Sequence, residues 1–158
     1  MTAMTSQNIL FVCSGNTCRS PMAAALLTMR LSAYPDAGIT VDSAGLSGND
    51  APANPEAIAA ISEAGGDLQT AGGLGSHRAK QLTRVLCEDA DLIAVMTDAH
   101  RWQIELYFDV DPDKLVVLNS ENGGIADPFG GGPEVYRETL RQLAEAIDRE
   151  ILPRIFNE

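Results

Sequence analysis

Four short apolar segments, separated from one another by helical patterns, constrain the fold of this sequence more than any other feature. The segments are residues 9–13, 39–43, 92–96 and 115–118. Their length and nearly continuous apolar character are typical of strands covered on both faces. Helical spacings of apolar residues occur after Ser20, at residues 55–63, 82–87 and 99–107, and from Pro133 onward. This alternation predicts a single α/β domain, with a parallel sheet between layers of helices and right-handed crossovers.

Capping residues predict where several of these helices begin and end. Ser20, followed by Pro21, is the expected N-cap of the first helix, and Asp98 is the expected cap of the fourth. Pro153 is expected to end the last helix, because a proline inside a helix removes a hydrogen bond and clashes with the preceding turn. Residues 1–7 are expected to be disordered.

The charge and hydropathy of the chain exclude several classes of partner. The formal net charge is −11 over 158 residues, which argues against nucleic acid or an anionic membrane held by a general basic field. No apolar run approaches the roughly 20 residues that span a bilayer, and the first residues do not resemble a signal peptide. We therefore expect a cytoplasmic protein that binds neither nucleic acid nor membrane and holds any anionic substrate locally.

The stretch CSGNTCRSP, residues 13–21, lies where the first strand gives way to the first helix. In open α/β sheets ligands bind at this end of the strands, and the following helix presents free backbone N–H groups. Gly15 and Asn16 both tolerate a positive φ, so the loop can curl until successive amides converge on one anion. Arg19 adds a planar fork of donors that suits two phosphate oxygens. Cys13 would place its sulfur in the same ring of donors, as a thiolate aimed at phosphorus.

Other uses of this loop agree less well with its residues. A nucleotide-binding P-loop or a dinucleotide-binding turn would need glycine patterns that are absent here. A zinc site from Cys13 and Cys18 lacks convincing partners, because His77 and His100 have no recognisable ligand spacing. Two buried structural cysteines on an ordinary turn are a further alternative. We predict no metal and no cofactor.

The longer stretch FVCSGNTCRSPMA resembles the phosphate-binding loop of low-molecular-weight protein tyrosine phosphatases. The similarity continues, in the order expected for that family, through DSAG (42–45), SHRAKQLT (76–83), ADLIAVMTDAH (90–100) and DPFGG (127–131). The resemblance implies one cysteine phosphatase domain over residues 1–158. It also implies a four-stranded parallel sheet of order 2-1-3-4 flanked by helices, a flavodoxin-like three-layer sandwich, in agreement with the strand and helix pattern.

The resemblance further implies a role for each site residue. Cys13 would attack phosphorus and form a cysteinyl phosphate, Arg19 would bind the phosphoryl group, and Asp127 would protonate the leaving group and later activate water. Ser20 would donate a hydrogen bond to the Cys13 thiolate, and Asn16 and Ser43 would brace the loop by hydrogen bonding. The partners implied are a phosphorylated protein and phosphate or another oxyanion. The phosphate-binding residues would be Ser14, Gly15, Asn16, Thr17, Cys18 and Arg19.

Two residues bear on which phosphorylated side chain the implied phosphatase takes. Tyrosine-specific members of the family usually carry a bulkier aliphatic residue at the position of Thr17, whereas bacterial protein arginine phosphatases resemble this sequence in having threonine. The threonine hydroxyl can meet a guanidinium, and Phe129 can pack along the substrate in either case. We therefore expect phosphoarginine in proteins as the substrate, with phosphotyrosine as the alternative.

An arsenate reductase and a non-catalytic oxyanion-binding module are less favoured alternatives. Reductases of this type carry a further cysteine at the end of the third strand, where this sequence has Met96 and Thr97, and Cys87 lies earlier. A non-catalytic module would be expected to have lost one of the catalytic residues, but Cys13, Arg19 and Asp127 are all present. A reversible disulfide between Cys13 and Cys18 and simple packing of Cys18 are both open. We expect a monomer, and the role of the glycine-rich loop at residues 65–76 is open.

Overall fold

The computed structural model of the chain describes residues 7–66 and 74–156, and a four-stranded parallel sheet forms its centre. The strands are β1 (Gln7–Cys13), β2 (Ile39–Gly45), β3 (Leu92–Val95) and β4 (Leu115–Val117). Their order is β2-β1-β3-β4, which confirms the predicted order 2-1-3-4. Because β1 lies between β2 and β3, the loop that follows it has a neighbouring strand end on each side.

Helices cover both faces of the sheet and divide the core into two clusters. Successive residues of β1 enter opposite clusters, because neighbouring side chains of a strand point to opposite faces of the sheet. Phe11 lies in the cluster formed with the first, second and fifth helices, and Val12 in the cluster formed with the third and fourth. The predicted three-layer α/β sandwich is confirmed. The helices are α1 (Arg19–Leu31), α2 (Pro55–Glu63), α3 (Arg84–Asp89), α4 (Asp98–Phe108), α5 (Pro133–Ala146) and α6 (Leu152–Phe156).

The first helix begins before Ser20, the residue predicted as its N-cap. α1 starts at Arg19, and Cys18 at the N-cap position makes no side-chain capping hydrogen bond. The prediction is wrong because the Ser20 hydroxyl turns toward the end of β1, where it lies 2.9 Å from Cys13 Sγ. The N-cap side chain therefore accepts no hydrogen bond from the first-turn N–H groups of α1, and these groups stay directed at the loop.

The fourth helix and the first strand also begin at residues that the sequence did not predict. Thr97 caps α4 instead of Asp98, because Thr97 Oγ1 accepts a hydrogen bond from the His100 N–H at 3.2 Å. Asp98 is the first helical residue, where its charge is favourable near the positive end of the helix dipole. The prediction that residues 1–7 are disordered is wrong for Gln7, which is the first residue of β1 and pairs with Ile39 of β2. Residues 1–6 lie outside the described residues.

Pro153 does not end the last helix as predicted. Residues Ile147–Ile151 form a wide π turn, in which the Leu152 N–H donates to the carbonyl oxygen of Ile147. Pro153 then falls in the first turn of α6, where the missing N–H of a proline is tolerated. The chain therefore continues in helical form to Phe156.

Two further sequence features concern loops and membrane spans. The glycine-rich loop predicted at residues 65–76 is described only at residues 65–66 and 74–76, because residues 67–73 lie outside the described part of the chain. Within residues 7–66 and 74–156, no helix is long and apolar enough to cross a bilayer.

Candidate active site

The loop between β1 and α1 curls around the carboxyl end of β1. Cys13, the last residue of the strand, is only 2% exposed. Asn16 is the left-handed residue of the loop, with a φ of 58°, and Gly15 does not have a positive φ. The Ser47 N–H donates to the carbonyl oxygen of Ser14 at 2.8 Å. The segment after β2 therefore holds the start of the loop in place.

Asn16 is the centre of the hydrogen-bond network that shapes the loop. Its side chain is fully buried and donates from Nδ2 to Ser20 Oγ at 2.8 Å and to Ser43 Oγ at 2.9 Å. Its Oδ1 accepts the backbone N–H of Lys80 at 3.0 Å, and its carbonyl oxygen lies 2.8 Å from His77 Nε2. The loop is therefore tied to α1, to β2 and to the segment that precedes α3.

The Cys13 sulfur has two hydrogen-bonding groups beside it. The Asn16 N–H donates to Cys13 Sγ at 3.3 Å, and Ser20 Oγ lies 2.9 Å from the same sulfur. Because Ser20 Oγ already accepts from Asn16 Nδ2, its own proton can be directed at a Cys13 thiolate. Both contacts stabilise negative charge on the sulfur.

A cavity of about 120 Å³ opens at this loop. It brings together all three residues predicted as catalytic and both residues predicted to govern specificity. Asn16 and its two hydrogen-bond partners, Ser20 and Ser43, are not among the lining residues. Backbone N–H groups of a curled loop and a helix N-terminus make such a cavity suitable for a tetrahedral oxyanion. The lining residues are Cys13, Ser14, Gly15, Thr17, Cys18, Arg19, Asp127 and Phe129.

Arg19 brings a buried positive charge to the cavity. The residue is 5% exposed, and its Nη1 donates to the carbonyl oxygen of Ile125 at 2.9 Å. Its Nη2 lies 3.9 Å from Asp127 Oδ2. The carbonyl contact orients the planar guanidinium, so its fork of donors can face an anion without further ordering.

The segment that carries Asp127 is anchored to the end of β3. The Ile125 N–H donates to the carbonyl oxygen of Met96 at 2.7 Å. Gly124, with a φ of +93°, permits this approach, since a Cβ at that position would lie 2.4 Å from the Met96 oxygen. The Asp127 side chain is 55% exposed, and its Oδ1 accepts the Phe129 N–H at 3.0 Å. The carboxylate therefore lies at the mouth of the cavity, with the exposed ring of Phe129 beside it.

His100 has a place beside the site that its sequence context did not predict. Its Nε2 lies 2.9 Å from Ser14 Oγ, and its Nδ1 has no hydrogen-bond partner among the described residues. Burial, and then the nearby charge of Arg19, lower the pKa of His100 to about 4. The ring is therefore neutral at pH 7. Its position shortly after β3 was the available signal, because the carboxyl ends of parallel strands meet at one edge of the sheet.

Cys18 lines the cavity, but its sulfur also contacts a residue that the sequence did not single out. The Tyr136 hydroxyl lies 3.3 Å from Cys18 Sγ. Burial raises the pKa of Cys18 and also that of Tyr136, so both groups are protonated at pH 7. The three cysteines, Cys13, Cys18 and Cys87, are free thiols. A reversible disulfide between Cys13 and Cys18 and simple packing of Cys18 both stay open, as they were from the sequence.

The chemistry available at the cavity is that of a sulfur nucleophile, a guanidinium, a carboxylate and a ring of backbone amides. Within residues 7–66 and 74–156, no group of three or more His, Cys, Asp or Glu side chains is placed to hold a metal ion.

Comparison with known proteins identifies a family that agrees with the chemical groups at the cavity. The family model described as low molecular weight phosphotyrosine protein phosphatase matches residues 8–154. The chain belongs to this family. It is accordingly a hydrolase of the protein phosphatase class.

Relatives of this phosphatase are named for two different substrates. The protein-arginine-phosphatase of Bacillus subtilis is 35% identical over 155 residues, which cover 90% of this chain and 98% of the relative. The low molecular weight protein-tyrosine-phosphatase PtpB of Staphylococcus haemolyticus is 34% identical over 145 residues, which cover 89% of this chain and 95% of the relative. A solved structure of the YwlE arginine phosphatase, a mutant with a phosphorylated active site serine, matches with a TM-score of 0.77 and 32% identity, and covers 94% of this chain and 99% of that one.

Proposed function

We propose that this phosphatase hydrolyses phosphoarginine in proteins through a cysteinyl-phosphate intermediate. The observation that supports phosphoarginine as the substrate is the polar character of the cavity wall. Ser14 and Thr17 contribute hydroxyl groups to it, and Phe129 is the only aromatic residue among the described lining residues. Hydroxyl groups can hydrogen-bond a guanidinium, whereas a phenol gains more from apolar and aromatic walls. The 35% identity with a protein-arginine-phosphatase supports the same substrate.

The first chemical step is attack by the Cys13 thiolate on phosphorus. An S–P bond forms while the P–N bond to the arginine side chain breaks. Arg19 and the loop N–H groups hold the phosphoryl oxygens, where charge develops in the transition state. Asp127 donates the proton that the leaving nitrogen requires, because a departing guanidine is strongly basic. The phosphorylated serine at the active site of the YwlE mutant supports a covalent intermediate of this kind.

The second step is hydrolysis of the cysteinyl phosphate by water. Asp127, now a carboxylate, removes a proton from the water molecule, whose oxygen attacks phosphorus as the S–P bond breaks. The products are inorganic phosphate and the Cys13 thiolate. The Asn16 N–H at 3.3 Å and the Ser20 hydroxyl at 2.9 Å stabilise that thiolate and make it a better leaving group.

Phosphotyrosine is the second candidate substrate, and Phe129 favours it. The ring of Phe129 is 71% exposed at the rim of the cavity, where it can pack against a phenol. The chemistry would be the same, with a P–O bond broken in place of P–N. An arsenate reductase is less favoured, because Cys87 is buried in the core cluster opposite the one that contains Cys13. A monomeric state and a cytoplasmic location stay predictions from the sequence.

The test is kcat/KM on matched phosphoarginine and phosphotyrosine peptides in reducing buffer, with Cys13→Ser as the blank. We expect a preference for phosphoarginine of roughly tenfold, about 1.4 kcal/mol. Thr17→Val keeps the shape of the side chain and removes its hydroxyl, so it should reduce that preference. A preference of the unmodified protein for phosphotyrosine would contradict the proposed substrate but not the proposed mechanism. Turnover by Cys13→Ser would contradict the mechanism.

A further inference from the structure

Ser14 and His100 form a hydrogen-bonded pair at the edge of the cavity. Ser14 is an exposed residue that lines the cavity, and its Oγ lies 2.9 Å from His100 Nε2. His100 is 5% exposed and belongs to the first turn of α4. Its Nδ1 has no partner among the described residues, so the contact with Ser14 is the hydrogen bond that the buried ring makes there. A buried histidine thus holds the hydroxyl of an exposed serine in one orientation.

This arrangement leaves the Ser14 oxygen able to accept a hydrogen bond from a ligand. A serine hydroxyl has one donor proton and two acceptor lone pairs, and a neutral histidine has one donor and one acceptor nitrogen. If Nε2 carries the proton, it occupies one lone pair of Ser14 Oγ and the other stays open. If Nδ1 carries the proton, the Ser14 hydroxyl donates to Nε2 and both lone pairs stay open. In either tautomer an acceptor site remains on Ser14 Oγ.

The position of Ser14 relates this acceptor to the leaving group rather than to the phosphoryl group. Cys13, whose sulfur must reach phosphorus, is 2% exposed and lies at the floor of the site. Ser14 is the next residue and is exposed, which places it at the rim with Phe129. A phosphoryl group on the Cys13 sulfur would lie below this rim, and the side chain that carries it would pass through the rim. The two candidate leaving groups differ there, since a guanidine bears N–H donors and the ether oxygen and ring of phosphotyrosine bear none.

We propose that Ser14 is a specificity-determining residue that accepts a hydrogen bond from an N–H of the leaving guanidine, and that His100 is a positioning residue that orients the Ser14 hydroxyl for this contact. The inference rests on the proposed function, because it concerns the same cavity and assumes a phosphoarginine substrate. It adds a contact that is independent of Thr17. A hydrogen bond lost from a charged donor predicts a change of roughly tenfold in relative specificity.

The test compares the ratio of kcat/KM on the phosphoarginine peptide to kcat/KM on the phosphotyrosine peptide. Ser14→Ala should lower this ratio roughly tenfold, and Ser14→Thr, which keeps a hydroxyl, should restore most of it. His100→Leu should lower the ratio to a similar extent, and His100→Gln should recover part of it, because the glutamine amide can replace Nε2 as a partner. Ser47→Ala is the matched control, since Ser47 is an exposed serine after β2 that bonds to Ser14 through its backbone N–H, which alanine keeps; its ratio should stay within about twofold of the unmodified protein.

The double variant Ser14→Ala/His100→Leu distinguishes positioning from a general effect on the fold. If His100 acts through Ser14, His100→Leu changes the ratio little once Ser14 is already alanine. A further drop as large as in the unmodified background would overturn the role of His100. If the unmodified protein prefers phosphoarginine and Ser14→Ala keeps that preference, the inference is wrong and the proposed function stands. If the unmodified protein prefers phosphotyrosine, both are wrong. Should His100→Leu fail to fold, the Ser14 variants still decide the main point.

Discussion

Replacement of Asn16 by alanine should lower the free energy of unfolding by about 4 kcal/mol. The Asn16 side chain makes three hydrogen bonds to Ser20, Ser43 and the Lys80 backbone, at 2.8, 2.9 and 3.0 Å. The loss of each costs about 1 kcal/mol on average, and more where a buried partner is left unsatisfied. The φ of 58° adds roughly 1 kcal/mol, because the left-handed region that asparagine tolerates is unfavourable for alanine.

Asn16→Gly separates the two contributions. Glycine removes the same three hydrogen bonds but accepts the left-handed backbone without strain. We therefore expect Asn16→Gly to be more stable than Asn16→Ala by roughly 1 kcal/mol. Asp50 provides a matched control, because it is also left-handed, with a φ of 66°, but its exposed side chain pairs with Arg78 at the surface, and its backbone N–H bond to Ala79 is kept in both variants. The alanine and glycine variants of Asp50 should differ from each other in the same direction, with a small loss relative to the unmodified protein.

Urea unfolding at pH 7 measures these differences directly. For a domain of this size a loss of 4 kcal/mol corresponds to a decrease of roughly 12 °C in Tm. A loss below about 1 kcal/mol for Asn16→Ala would refute the view that the buried amide holds the loop. Equal stability of Asn16→Ala and Asn16→Gly, together with a clear difference at Asp50, would refute the account of the backbone at Asn16.

Three further predictions follow from the same contacts. Asp127→Asn should lower kcat on phosphoarginine peptides roughly 10²- to 10⁴-fold and on nitrophenyl phosphate much less, because nitrophenolate leaves without a proton; equal losses on both substrates would remove the general-acid role. His100 has a pKa of about 4 when folded, below its ordinary value of 6.5, so its contribution to stability is complete above pH 6.5 and is lost as the pH falls toward 4. Urea unfolding against pH should show a decrease of roughly 3 kcal/mol over that range that His100→Gln removes; an unchanged slope in the variant would contradict this. Gly124→Ala should lower both Tm and kcat/KM, since its Cβ would lie 2.4 Å from the Met96 oxygen, whereas Gly123→Ala, also left-handed but with nothing within 4 Å, should lose only the smaller backbone contribution.

The fold was predictable because its signals are local. Each strand and helix has a periodic apolar pattern of its own, and the alternation of the two element types restricts the topology. The errors fall where the local sequence is compatible with more than one structure. Thr97 and Asp98 can both cap a helix, and only the packed geometry decides that Thr97 Oγ1 meets the His100 N–H. Pro153 stops an ordinary α-helix, but the π turn before it shifts the register by one residue.

The candidate site was predictable only in its continuous part. Cys13 and Arg19 belong to one short motif whose residue types together indicate anion binding. Asp127 lies in a stretch of turn-forming residues that by itself predicts an ordinary turn, and its link to the loop came from the family resemblance. The contact between Ser14 and His100 joins residues that are 86 positions apart. A pairing of that kind leaves no periodic or local mark in a single sequence.

The strand order explains how one short loop can be held so firmly. Because β1 lies between β2 and β3, the end of β2 brings Ser43 to one side of the loop and the start of α4, after β3, brings His100 to the other. A loop after an edge strand would be supported on one side only. The same order allows a chain with a net charge of −11 to hold an oxyanion, because the required charge is supplied locally by Arg19, 5% exposed, and by oriented amides rather than by the surface field. Substitutions that change distant surface charges should therefore alter oxyanion affinity much less than loss of Asn16 or Arg19.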